Sequence, residues 1–260
     1  MLKIMVRQFL LDVDGGEPES EEGGHAICSA SSSKRWLNCT PSARLQLRYP
    51  SKNSVYAQEG TYVHSLCEFK LKSYFHLEDN LEKPYDPQFH SEKAEKNSDI
   101  FTNLVINEWR MINEWQKLPN AQVLVEERLD FSNIVPEGFG TGDAVVVGSE
   151  ELHIFDYKNG EGVFVEADHN TQMMLYALGA INMFDNDFKT IHMTIVQPNL
   201  DNIKTFTMSK DELVAWGNEI KPIAEKAYKG EGESVPGEWC TFCAARYDCR
   251  ARMNDWRKKG

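Results

Sequence analysis

The stretch TGDAVVVGSEELHIFDYK, residues 141–158, decides the fold. Thr141–Val147 and Leu152–Lys158 are rich in β-branched and aromatic residues, and Gly148-Ser149-Glu150-Glu151 joins them, so the stretch reads as a β-hairpin. With Ser149-Glu150 as a two-residue turn, Gly148 pairs with Glu151, and counting back symmetrically sets Asp143 directly across from Asp156. Opposed residues on one antiparallel face carry Cβ atoms about 4.5–5.5 Å apart. Two carboxylates at that separation repel, more so when partly buried, and a fold avoids the pair unless a cation sits between them. A divalent ion with oxygen ligands, Mg²⁺ foremost, meets that need. Lys158, two residues beyond Asp156, shares its strand face and can reach the same spot. The same three residues also read as strand-end charges neutralised on the surface, and a β-bulge would shift the register by one.

Upstream of the hairpin, Val123–Phe131 alternates and reads as a strand. Its Glu126 and Glu127 point to opposite faces, so only one of them can approach the carboxylate pair. The spacing of Phe101, Leu104, Val105, Trp109, Ile112 and Trp115 predicts a helix over 99–117, and another is predicted over 59–76. Ser31-Ser32-Ser33 reads as the cap of a short helix, and Pro41 opens a helical stretch to about Tyr49. Downstream come a helix over 170–183, a strand over 190–197 closed by Pro198, and a long helix over 210–229 that Pro222 should kink or divide. The order is α-rich, then β-β-β-α-β, then helix and a Cys-rich tail. That order predicts an α/β fold with a central mixed sheet flanked by helices. Residues 1–25 read as an acidic, flexible segment, and 26–260 as a single domain.

Two further helix features bear on the carboxylate pair. Gln172 and Tyr176 lie four apart and share a face, either towards the pair or as a half-packed surface pair. His64 lies on the helix after Glu59-Gly60-Thr61, with Glu68 one turn on, either orienting it or making an ordinary helix pair. A lone histidine is more often structural than a ligand.

The chain of 260 residues has a net charge of -12, with 28 basic and 40 acidic residues, which excludes a generally basic nucleic-acid coat but not an enzyme with a local basic groove. The charge is uneven: 12–22 holds six carboxylates and no base, whereas 240–260 holds six bases and two acids. No uncharged apolar run reaches the ~18–20 residues a membrane span requires, so no membrane partner is expected. Met1–Leu11 is interrupted by Arg7 and Gln8 and lacks a small-residue cleavage site, so a secretory leader is not expected. Six cysteines at uneven spacing suggest a reducing, cytoplasmic setting.

Gly60-Thr61-Tyr62-Val63-His64, Gly142-Asp143, Asp156-Tyr157-Lys158 and Gln172-Met173-Met174-Leu175-Tyr176 follow one another in an order that closely resembles the RecB-type branch of the PD-(D/E)XK nuclease superfamily. The resemblance spans about Ser29 to Arg252. It implies a restriction-endonuclease-like core and Mg²⁺- or Mn²⁺-dependent cleavage of DNA. It implies that His64, Asp143, Asp156 and the backbone carbonyl of Tyr157 hold the metal, that Lys158 assists the attacking water, and that Gln172 and Tyr176 contact DNA or shape the site. Cys240, Cys243 and Cys249, with Cys39 roughly 200 residues upstream, resemble the iron–sulfur clasp of CRISPR-associated, AddB-type and phage nucleases. Four thiolates suit a 4Fe-4S cluster or tetrahedral zinc. Closing so long a loop would remove ~4–5 kcal/mol of freedom from the unfolded chain in the entropic account. The clasp would bring Arg246, Arg250 and Arg252 near the site entrance. Cys28 is a rival for the fourth ligand, and Cys67 reads as core.

The expected function is a DNA exonuclease acting on ends or single strands, of the kind used in phage recombination, repair or degradation. An endonuclease or flap nuclease on the same fold, or a non-catalytic DNA-binding recombination partner, is the alternative. A homo-oligomer fits the exonuclease reading without being required by it.

Overall fold

The computed structural model describes residues 26–49, 54–115 and 121–259. The acidic 12–22 segment lies outside them, as does the end of the expected 99–117 helix beyond residue 115. The fold is α/β: a five-stranded mixed sheet flanked by helices. The strands are β1 (Gln122–Asp130), β2 (Phe139–Val147), β3 (Glu151–Tyr157), β4 (Thr190–Gln197) and β5 (Asn202–Ser209), and they lie side by side in chain order. Three neighbouring pairs are antiparallel, while β3 and β4 are parallel. A parallel pair needs a crossover, and helix α5 (Thr171–Ile181) supplies it.

Helices cover both faces. On one, α5 and α6 (Lys210–Lys229) pack with the short α1 (Ser33–Asn38) and α2 (Ser42–Leu45) against Val145, Val147, Leu152, Ile154, Ile191, Met193 and Ile195. On the other, α3 (Val55–Phe75) and α4 (Glu92–Trp115) bury Val63, Leu66, Leu71, Phe101 and Val105 against Val125, Ala144, Val146, Phe155 and Tyr157. β2 and β3 are apolar on both sides because both sides are covered. A last helix, α7 (Arg250–Lys259), follows the cysteine-rich segment. No helix among the described residues is long and apolar enough to cross a membrane.

Several local expectations are corrected. β5 is an edge strand that the sequence reading passed over. Its mostly exposed pattern offers no apolar run, and polar Lys204, Thr205 and Thr207 dominate it. Pro222 neither breaks nor divides α6, which runs through it. Pro222 is exposed, so its ring faces solvent rather than a packed neighbour. Ser32 sits at the cap position of α1 but makes no capping bond; its hydroxyl instead donates to the Ser29 carbonyl at 3.2 Å. Helices α3 and α4 each begin earlier than the apolar spacing suggested, since their first turns are largely exposed.

Candidate metal centre across β1, β2 and β3

The hairpin register is the expected one. Gly148 N–H donates to Glu151 at 2.9 Å, and the ladder runs from Val147↔Leu152 to Ala144↔Phe155. The next rung would pair Asp143 with Asp156. There the Asp143 carboxylate takes over from the ladder, its Oδ2 accepting the Tyr157 N–H at 2.6 Å. On the other side of β2, Val125↔Ala144 and Glu127↔Gly142 bracket Glu126 opposite Asp143. Glu126 carries φ 51, a conformation costly for a residue with a side chain and one that clusters at functional sites. The inward-facing residues of β1 change side across this point, from Val125 on the α3–α4 face to Leu129 on the α5 face. Three acids on three adjacent strands therefore fall in one row.

His64, from the middle of α3, completes the row. Its Nδ1 lies 3.5 Å from Asp143 Oδ1 and 3.9 Å from Glu126 Oε1, and its ring stands edge-on to Tyr157 at 5.3 Å. One ligand atom from each of His64, Glu126 and Asp143 lies within 4.8 Å of the other two. Glu68 does not orient His64, because it pairs with Lys72 at 2.8 Å instead. Of the two adjacent acids in β1, Glu126 reaches the centre; simple alternation did not single it out because its positive φ turns the strand at that residue.

Lys158 Nζ sits 2.7 Å from Asp156 Oδ2 and donates to Gln172 Oε1 at 3.2 Å. Gln172 Nε2 in turn donates to Asp156 Oδ1 at 3.0 Å and to the Tyr176 hydroxyl at 3.2 Å. The Asn170 side chain caps α5 by accepting from the Gln172 and Met173 N–H groups, which fixes Gln172 in the first turn, beside the sheet. Gly140 makes room for Tyr176: a Cβ there would lie 2.6 Å from the tyrosine ring. Gln172 and Tyr176 are thus joined to the centre by a continuous hydrogen-bond chain.

The electrostatics match a site built around positive charge. Asp143 is buried, which lifts its pKa to about 7; His64 works against this lift, while Asp156 and Glu126 add to it. Burial opposes the charged form of His64, yet the neighbouring carboxylates of Asp143, Glu126 and Asp156 outweigh it and raise its pKa to about 9. Lys158 is likewise held above its ordinary value by Asp156 and Asp143 despite burial, so it is a cation at neutral pH. Hard carboxylate oxygens with one imidazole suit Mg²⁺ or Mn²⁺.

The cysteines divide into two groups. Cys39, Cys240, Cys243 and Cys249 line one small pocket together with Arg35, Arg246 and Arg252. All six cysteines are free thiols, and no three of these four sulfurs come within 4.8 Å of one another. Cys28 is fully buried in the core under α5 and takes no part in that lining, and burial raises its pKa to about 12. Cys67 is buried between α3 and the sheet, as expected of a core residue. Arg246 stacks on Tyr247 and Arg252 donates to the Arg246 carbonyl at 2.8 Å, while Arg250 begins α7. These arginines belong to the cysteine segment and make no contact with the carboxylate row in these interactions.

The chain belongs to the family described as Protein of unknown function (DUF2800), which matches residues 25–259. It is also similar to a solved structure described as "Crystal structure of SSO0001", at 12% identity and a TM-score of 0.33, over 85% of this chain and 96% of that one.

Proposed function

We propose that this member of the DUF2800 family is a metal-dependent deoxyribonuclease with a RecB-type, restriction-endonuclease-like core, acting as an exonuclease on DNA ends or single strands in a reducing cytoplasm. The observation that carries the reading is the grouping of His64, Glu126 and Asp143, with the Asp156–Lys158 pair in the same row on the next strand. His64, Asp143 and Asp156 would hold Mg²⁺ or Mn²⁺, with Glu126 added to the expected set and the Tyr157 carbonyl beside them. Bound there, the ion neutralises phosphate charge and makes water a better nucleophile.

The protein's own residues do the rest. Lys158, held as a cation, stabilises the charge that develops on the non-bridging phosphate oxygens. Gln172 fixes both Lys158 and Asp156 in position through its amide. Tyr176, whose hydroxyl accepts from Gln172, is buried in the core beneath the same place, so it shapes the site and holds Gln172 rather than touching DNA. Cys39, Cys240, Cys243 and Cys249 would hold a 4Fe-4S cluster, whose sulfur ligands stand further apart than those of a single zinc ion. Arg246 and Arg250 would then offer phosphate contacts on the adjoining surface.

The test is cleavage of end-labelled single- and double-stranded DNA with Mg²⁺ or Mn²⁺. Release of short products by the wild type, lost in Lys158→Met and Asp156→Asn, supports the reading. Equal cleavage by wild type and variants overturns it. Covalently closed circles should survive, and their cutting would make the enzyme an endonuclease on the same core.

A further inference from the structure

A second cluster of ligand-type side chains lies at the other end of β3, on the opposite face of the sheet from Asp156. Glu151 and His153 of β3 and His192 of β4 each offer one ligand atom within 4.8 Å of the other two. His153 and His192 are direct partners in the parallel ladder, and their rings stack at 4.3 Å and 16°. His153 is three residues before Asp156, so the cluster is roughly 10 Å along the strand from the carboxylate row.

The cluster has the features of a ligand set. His153 has only 8% of its side chain exposed, and its buried Nε2 has no hydrogen-bond partner. That nitrogen faces Glu151 Oε2 at 3.6 Å, beyond hydrogen-bond reach. A buried ring nitrogen without a partner is costly unless something else satisfies it. The other ring nitrogen, Nδ1, lies 3.4 Å from Glu108 Oε1 on α4. A carboxylate behind a histidine is the usual arrangement that orients a metal-bound imidazole. Thr207 of β5 does the same service for His192, bonding its Nδ1 at 2.9 Å and leaving Nε2 available.

We infer that Glu151, His153 and His192 form a second metal site, for a divalent transition ion of the zinc class, with Glu108 and Thr207 as positioning residues. Two imidazoles and a carboxylate favour such ions over Mg²⁺, and three protein ligands leave a fourth position for water. The two rings lie nearly parallel, so the partly exposed His192 ring and the partly exposed Glu151 side chain both turn to close the set around an ion. The site bolts β3 to β4 at their shared end and is independent of the nuclease reading.

The probe is Co²⁺, titrated into purified full-length Asp143→Asn protein so that the carboxylate row contributes no signal. One equivalent should give visible d–d bands without thiolate-to-cobalt charge transfer, and Zn²⁺ should displace it. His192→Gln should weaken binding at least tenfold, and Glu108→Gln by about 10–100-fold with the band pattern kept. Glu151→Gln, at the partly exposed rim, repeats the test if His192→Gln fails to fold. Absence of binding, bands dominated by thiolate charge transfer, or unchanged affinity in both His192→Gln and Glu151→Gln would overturn the inference.

Discussion

Replacing Asp143 with Asn should make the metal-free protein more stable, although it alters a residue at the heart of the proposed centre. The carboxyl has a pKa of 3.8 in the open chain and about 7 in the fold. At about 1.4 kcal/mol per unit, keeping it ionised in the folded state at pH 8 costs about 4 kcal/mol as a ceiling. That figure already includes the attraction of protonated His64, and the buried amide keeps a desolvation cost of its own, so a gain of about 2–4 kcal/mol is expected for Asp143→Asn. The amide oxygen can still accept the Tyr157 N–H, so the local geometry survives. The sign follows from the raised pKa. The wild type has the full contribution of this group below about pH 4 and loses it as the pH climbs through about 7. The variant and wild type should therefore coincide near pH 4 and diverge by pH 8, where the thermal midpoint of the variant should be about 5–15 °C higher. Chelator-treated protein followed by circular dichroism across pH 4–9 measures this. Adding Mn²⁺ at a thousand times its dissociation constant should cancel or reverse the order, because it adds about 4.1 kcal/mol to the wild type alone. A variant less stable than wild type at pH 8 without metal would show that Asp143 is simply a satisfied hydrogen-bonding group, and the case for a dication there would fail.

Lys158→Met should reduce DNA cleavage by about 100-fold or more while leaving the Mn²⁺-dependent rise in thermal midpoint intact, which separates its role from metal binding. Cys243→Ser should remove visible thiolate-to-iron absorption from protein purified without oxygen; a retained spectrum would exclude Cys243 as a ligand. Pro222→Ala should stabilise α6 by about 1–3 kcal/mol in urea unfolding, since it restores a helical N–H at an exposed position. Gly179→Ala should destabilise by about 1–3 kcal/mol, because its Cβ would come within 3.0 Å of the Leu129 backbone, which cannot turn aside as a side chain can.

The parts of the fold legible in the sequence were those with local instructions. The Ser149-Glu150 turn sets the β2–β3 register, and every rung from Val147↔Leu152 to Ala144↔Phe155 follows from it. The apolar spacing in α4 is equally local. What escaped depends on distant partners. β5 has one neighbour and an open edge, so polar residues suffice and no apolar alternation announces it. Glu126 was left level with Glu127 because alternation presumes an unbroken strand, and φ 51 breaks it. The His153–His192 pairing comes from a parallel ladder closed by a whole helix, and no turn fixes such a register. Cys39 was preferred to Cys28 from the resemblance alone, and the packing of α1 against the tail is what brings it beside the other three.

That packing has a consequence for how the protein would survive damage. Lys34 pairs with Glu238 at 2.7 Å, the Thr40 hydroxyl donates to the Glu231 carbonyl at 2.5 Å, and Arg35 donates to the Phe242 carbonyl at 3.3 Å. These contacts sew an early segment to a late one. A protease nick in the exposed 77–88 connection would therefore leave two fragments held together by this seam and by the sheet. Such a nicked molecule should co-elute as one particle, and the two pieces produced separately should reassemble when mixed.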